Sequence, residues 1–121
     1  MSRILMVDDS PTEIAVVKGV LEKKGHSIIV AASGKEGVAL AQSEKPDLIL
    51  MDIVMPDMNG FKATREISKN PETASIPIIM MSSKDQETDI EWAKRQGAQA
   101  YLVKPAKEAD LLAAIDAALA G

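Results

Sequence analysis

Ile4-Leu5-Met6-Val7-Asp8-Asp9-Ser10-Pro11-Thr12-Glu13 reads as a strand, a turn carrying two carboxylates, and the start of a helix. Four apolar residues without polar alternation describe a strand buried on both faces, the habit of parallel sheets. Ser10 offers an N-cap hydroxyl, Pro11 suits the first helical position, and Glu13 can complete a capping box. Outward from this stretch the same unit recurs. Apolar runs stand at Ile28-Ile29-Val30, Leu48-Ile49-Leu50-Met51, Ile78-Ile79-Met80-Met81 and Tyr101-Leu102-Val103. Ser33-Gly34-Lys35-Glu36 and Ser83-Lys84-Asp85-Gln86 repeat the capping pattern, and Gly25 and Gly97 mark the ends of helices one and four. Seventeen alanines suit helix propensity and close helix–sheet packing. The pattern is (βα)₅: an α/β chain with a parallel five-stranded sheet, helices on both faces and right-handed crossovers.

At 121 residues this is one domain, with no linker, repeat or low-complexity tract to divide it. Five strands and five helices consume residues 1–121, so no output domain is expected and any output belongs to a protein partner. Fourteen basic against 18 acidic residues gives −4, too acidic for a nucleic-acid binder. The absence of cysteine excludes disulfides and thiolate zinc sites. A lone His26 in a helix–strand turn excludes a histidine metal cluster and reads as structural or exposed. The N-terminal apolar run is too short for a signal peptide or a membrane span, so the expectation is a cytoplasmic protein without membrane insertion.

Ligands of open α/β sheets bind outside the carboxyl ends of the strands. Strand one is followed by Asp8-Asp9, strand three by Asp52, strand four by Ser82-Ser83 and strand five by Lys104-Pro105, while strand two is followed by Ala31-Ala32-Ser33. Three carboxylates, a hydroxyl and an ammonium thus converge on one sheet edge. Clustered carboxylates raise one another's pKa unless a cation relieves them, which invites a hard divalent ion. Oxygen-only ligands favour Mg²⁺, with Mn²⁺ able to substitute. An ammonium and a hydroxyl suit phosphoryl oxygens, and phosphoryl transfer needs mainly positioning and charge neutralisation. The nucleophile left over is a carboxylate, and aspartyl phosphate is a known covalent route.

On these residues the chain resembles response-regulator receiver domains over essentially its whole length. The matching motifs are Val7-Asp8-Asp9-Ser10, Met51-Asp52-Ile53-Val54-Met55-Pro56-Asp57-Met58-Asn59-Gly60, Ser82, Tyr101 and Lys104-Pro105. The resemblance implies a CheY-like, flavodoxin-like doubly wound sheet of strand order 2-1-3-4-5. It implies that Asp52 accepts a phosphoryl group from a CheA-like histidine kinase, with Mg²⁺ held by Asp9, Asp8 through water, Asp52 and the backbone carbonyl of Val54. It makes Ser82 the switch hydroxyl, Tyr101 the switch aromatic, Lys104 the phosphate-pairing cation and Lys104–Pro105 a candidate cis peptide. Phe61-Lys62-Ala63-Thr64-Arg65, Lys84–Asp89 and Trp92–Gly97 further resemble the stand-alone regulators of type IV pilus twitching motility. The expected state is a monomer that can dimerise on phosphorylation, with an output through binding to another protein.

Competing readings attach to several residues. Ser83 is the better N-cap, whereas Ser82 continues strand four and takes the switch role. Ile90 and Trp92 lie ~200° apart around helix four, so only one faces the core squarely. If Ile90, Ala93 and Gly97 face inward, Trp92 faces solvent as an anchor for a partner. Asp57 reads as turn chemistry beside Asn59 and Gly60. The seven methionines, Met1 among them, read as core filler. Two other functions fit the fold: a phosphate sink draining a shared kinase, and a scaffold indifferent to phosphorylation. Against the sink, apolar Val54 cannot orient an attacking water, which predicts slow self-dephosphorylation; against the scaffold stands the complete acidic set. A haloacid-dehalogenase phosphatase would carry an aspartate where Val54 stands.

Overall fold

Each apolar run becomes a strand and each capped segment a helix, in strict alternation. The computed structural model describes residues 2–120, so Met1 of the methionine set and Gly121 lie outside it. The elements are β1 (Arg3–Val7), α1 (Pro11–Lys23), β2 (Ser27–Ala31), α2 (Gly34–Glu44) and β3 (Leu48–Met51). They continue with α3 (Gly60–Lys69), β4 (Ile78–Ser82), α4 (Glu87–Gln96), β5 (Ala100–Val103) and α5 (Glu108–Ala120). All pairings are parallel and the sheet order is β2-β1-β3-β4-β5, the doubly wound flavodoxin-like arrangement expected.

Alternate strand residues point to opposite faces, which splits the core in two. Leu5, Val7, Ile49, Met51 and Met80 pack with Ala41 of α2, Ala63 and Ile67 of α3, and Ala93 of α4. Ile4, Met6, Leu50 and Ile79 pack on the other face with Val17 and Leu21 of α1 and Leu111 and Ile115 of α5. A fully buried Ile or Leu contributes roughly 1.5–3 kcal/mol, so these two layers can carry a crowded acidic edge. Among the described residues no helix is long and apolar enough to cross a membrane.

One expectation needs correction. β1, β3 and β4 are buried on both faces apart from Arg3, but β2 and β5 are half-exposed. They are the edge strands, and Val30 and Val103 face solvent. An apolar run marks a strand without stating how many neighbours it has.

Helix ends mostly follow the sequence. Ser10 and Ser33 accept the N–H groups of Glu13 and Glu36, and Pro11 opens α1. Gly97 ends α4 with φ +114°, and a side chain there would collide with Ser68 of α3. The Ser83 cap is overturned: α4 starts four residues later at Glu87, behind Gln86, which makes no side-chain capping bond. His26 is structural, its Nδ1 accepting the N–H of Ser2.

Candidate functional site

Sheet register assembles the site before any side chain contributes. Val7 pairs with Met51, which sets Asp8 and Asp52 side by side as the next residues of adjacent strands. Their backbones are fixed by Asp8 N–H donating to the Ala31 carbonyl at 3.0 Å and Asp52 N–H to the Val7 carbonyl at 2.9 Å. Ser82 pairs with Val103, and Lys104 N–H donates to the Ser82 carbonyl at 2.8 Å. The Lys104–Pro105 peptide is cis, as the resemblance implied.

The three carboxylates converge. Asp8, Asp9 and Asp52 each offer an oxygen within 4.8 Å of the others. Asp8 is 2 % exposed, Asp52 half-buried and Asp9 exposed. Oδ2 of Asp8 accepts from Lys104 Nζ at 2.7 Å, while its Oδ1 accepts the Ser10 N–H at 2.9 Å. The second half of the expected capping box is therefore made by Asp8 and not by Glu13. Lys104 Nζ also lies 3.7 Å from Oδ1 of Asp52, which accepts the Ile53 N–H at 2.8 Å. Both contacts of Asp52 thus fall on one oxygen.

The electrostatics follow from this crowding. Burial pushes the Asp52 carboxyl above the usual carboxylate range; Asp8 and Asp9 add to the rise, while Lys104 and the Ile53 N–H oppose it. Burial alone would lower the Lys104 ammonium, yet the hydrogen bond to Asp8 and the charges of Asp52 and Asp8 hold it above the ordinary lysine value. One ammonium cannot neutralise three carboxylates. An oxygen-only cluster of this density fits a small hard divalent cation such as Mg²⁺.

Around this centre the switch candidates form a second hydrogen-bonded group. Ser82 is 1 % exposed, and its hydroxyl accepts the Lys84 N–H at 3.3 Å. The Tyr101 hydroxyl donates to the Lys84 carbonyl at 2.7 Å. Burial raises the Tyr101 phenol, with the Ser82 hydroxyl acting in the opposite sense. Two side chains thus grip one residue of the β4–α4 connection, which explains why Ser83 does not begin a helix. Val54 follows Asp52 by two positions and is 59 % exposed. Trp92 lies outside both groups on α4, 48 % exposed, while Ala93 is buried and Ile90 half-buried.

A local reading of the sequence misses the work of Asp57. Its Oδ1 accepts the N–H of Gly34 at 3.1 Å and of Met58 at 2.8 Å, and its Oδ2 accepts the N–H of Lys35 at 3.1 Å. Its carboxyl lies below the ordinary value: partial desolvation acts upward, and the backbone N–H groups of Lys35, Gly34 and Met58 outweigh it. Asp57 therefore ties the β3–α3 loop to the first turn of α2, 22 residues or more away in sequence. Its spacing to Asn59 and Gly60 signals a turn, and nothing local announces the distant helix. Gly60 closes the same loop, donating its N–H to the Ile53 carbonyl at 2.8 Å. A Cβ at residue 60 would overlap the carbonyl oxygen of Asp52.

Comparison with known proteins agrees with this geometry. The model of the response regulator receiver domain matches residues 4–116. Protein PilH of Pseudomonas aeruginosa is 58 % identical over 121 residues, covering all of both chains. The crystal structure of a putative response regulator from Chloroflexus aurantiacus superposes with a TM-score of 0.95 at 27 % identity, over 99 % of this chain and 98 % of that one. The receiver domain of a sensor histidine kinase from P. aeruginosa, solved with magnesium coordinated in its active-site cleft, gives a TM-score of 0.92 at 31 % identity, covering 99 % and 98 %. A doubly wound sheet whose carboxyl edge gathers Asp8, Asp9, Asp52 and Lys104, matched along nearly its full length, places this chain in the response regulator receiver domain family.

Proposed function

We propose that this chain is a stand-alone response regulator whose Asp52 takes a phosphoryl group from a histidine kinase. The observation that carries the reading is the cluster of Asp8, Asp9 and Asp52, with one ammonium, Lys104, against both Asp8 and Asp52. Oδ2 of Asp52 attacks the phosphorus of a phosphohistidine. The P–N bond breaks and its electron pair stays on the donor imidazole, which leaves neutral because its other nitrogen carries the proton. Asp9, Asp52, the backbone carbonyl of Val54 and, through water, Asp8 would hold Mg²⁺, which would supply charge neutralisation for the phosphoryl oxygens.

The chain's own residues do the rest. Lys104 is close enough to pair with a phosphoryl oxygen on Asp52 without leaving Asp8. Ser82 would donate its O–H to another phosphoryl oxygen while its oxygen keeps the Lys84 N–H, drawing the β4–α4 connection inward. Tyr101, bonded to the same Lys84, would follow, and the surface carrying Trp92 would change the partner it binds. A differential interaction of a few kcal/mol reverses the populations of such a two-state element.

Similarity to PilH supports a role in type IV pilus twitching motility or taxis, with a CheA-like kinase as donor and a cytoplasmic setting. Incubation with acetyl phosphate and Mg²⁺ tests the chemistry. The expected result is a mass gain of one phosphoryl group on wild type, absent without Mg²⁺ and absent in Asp52→Asn. No gain on wild type removes the reading. Expression in a strain lacking PilH tests the cellular role, with restored twitching for wild type and none for Asp52→Asn.

A further inference from the structure

The Asp57 carboxylate accepts three backbone N–H groups, more hydrogen bonds than any member of the acidic cluster receives. Two of the donors, Gly34 and Lys35, belong to the first turn of α2, where free N–H groups and the helix dipole favour a carboxylate. That turn already has a local cap, since Ser33 accepts the Glu36 N–H at 3.2 Å. Asp57 is thus a second cap on the same helix, delivered from the loop that follows Asp52.

A separate observation places the loop hard against that helix. A Cβ at Gly34 would stand 2.6 Å from the Met58 carbonyl oxygen and 2.9 Å from the Met58 Cβ. Gly60 pins the far end of the loop to Ile53. Val54 lies between these two attachments, with its side chain turned to solvent. Without the α2 attachment, the loop would keep only its closure at Ile53–Gly60, and the residues between would move as exposed loops do.

We propose that Asp57 is a positioning residue of the phosphoryl site: by tying the β3–α3 loop to α2, it sets where the Val54 carbonyl stands and thereby the affinity for Mg²⁺. The inference rests on the reading of Asp8, Asp9, Asp52 and Val54 as the metal ligands. Groups that orient a ligand commonly govern metal affinity as strongly as they govern geometry.

Calorimetric titration of the full chain with MgCl₂ alone tests this, with the melting temperature of every variant measured alongside. Asp57→Ala is expected to bind Mg²⁺ roughly ten-fold more weakly than wild type. Asp57→Asn, which keeps one acceptor oxygen, falls between them and decides the matter if Asp57→Ala does not fold. Ser33→Ala removes the local cap of α2 without touching the loop; it should lose stability yet keep wild-type affinity. Unchanged affinity in the folded Asp57 variants overturns the proposal, as does an equal loss in Ser33→Ala. Absence of Mg²⁺ binding by wild type, or indifference to Asp9→Asn, instead overturns the reading of the metal ligands.

Discussion

The ammonium of Lys104 donates to Oδ2 of Asp8 across 2.7 Å, joining residues 96 positions apart in the chain. Both are withdrawn from water, with side-chain exposures of 13 % and 2 %. Removing one partner of a buried pair strands the other charge, which costs more than the pair is worth. Lys104→Met should therefore destabilise the protein by about 3 kcal/mol in urea unfolding. Mg²⁺ should restore more stability to this variant than it adds to wild type, because it offers Asp8 another cation. Equal gains would contradict this account of the pair.

Lys104 also dictates behaviour in alkali. Its ammonium binds a proton more tightly folded than unfolded, so its contribution is complete below the ordinary value of 10.5 and fades as pH rises through the raised folded value. Tyr101, whose phenol is also raised, loses stability over a neighbouring range, so the comparison belongs in a Tyr101→Phe background. There, unfolding midpoints should fall more steeply above pH 10.5 with Lys104 than with Lys104→Met.

Asp52 obeys the same sign, in the acid range. A carboxyl raised above 3.8 favours the protonated fold, so its ionisation lowers stability as pH climbs through the folded value. Asp52→Asn should be more stable than wild type at neutral pH without Mg²⁺, by about 1 kcal/mol and a few degrees of Tm. The Asn carbonyl can still accept the Ile53 N–H. Below the carboxylate range the gain should vanish, and Mg²⁺ should narrow it at pH 7. An Asn variant less stable than wild type at neutral pH would refute the assignment of strain to this carboxylate.

Thr64 of α3 is fully buried, and its Oγ1 has no hydrogen-bond partner among the described residues. Valine has the same shape without the orphaned hydroxyl, so Thr64→Val should add about 1 kcal/mol. Thr64→Ser keeps the hydroxyl and opens a methyl-sized gap, and should lose stability. Thermal unfolding of the two variants should move in opposite directions.

Val54 is expected to set how long a phosphoryl group on Asp52 would persist. An exposed apolar side chain two residues beyond Asp52 offers no hydrogen bond to an attacking water. Phosphate loss from wild type should be slow, and Val54→Asn should accelerate it while Val54→Ala does not. Rapid loss unaltered in Val54→Asn would favour the phosphate-sink role over the binding switch.

Much of this architecture is written in short-range signals. Apolar runs located every strand, and the residue after four of the five runs located the site, because strand ends in a parallel sheet are brought level by register. Asp8, Asp52 and Lys104 could be found one strand at a time. What escaped was decided by partners distant in sequence. The half-exposure of β2 and β5 depends on sheet order. Ser83 has the residue type of a cap, but the grip of Tyr101 and Ser82 on Lys84 delays α4 to Glu87. Asp8 displaces Glu13 from the Ser10 N–H because it sits closer to that donor along the chain. Asp57 looks like a turn residue until α2 arrives beside it.

The contact between Gly60 and the Asp52 carbonyl has a consequence for anyone engineering this chain. Exchanging a helix-opening glycine for alanine is a routine way to firm up a scaffold, since it narrows the unfolded ensemble. Here the methyl group would enter the volume that the Asp52 peptide occupies. Rigidity of α3 and the shape of the acidic cluster are thus drawn from the same small space, and thermostabilising designs must leave that glycine alone.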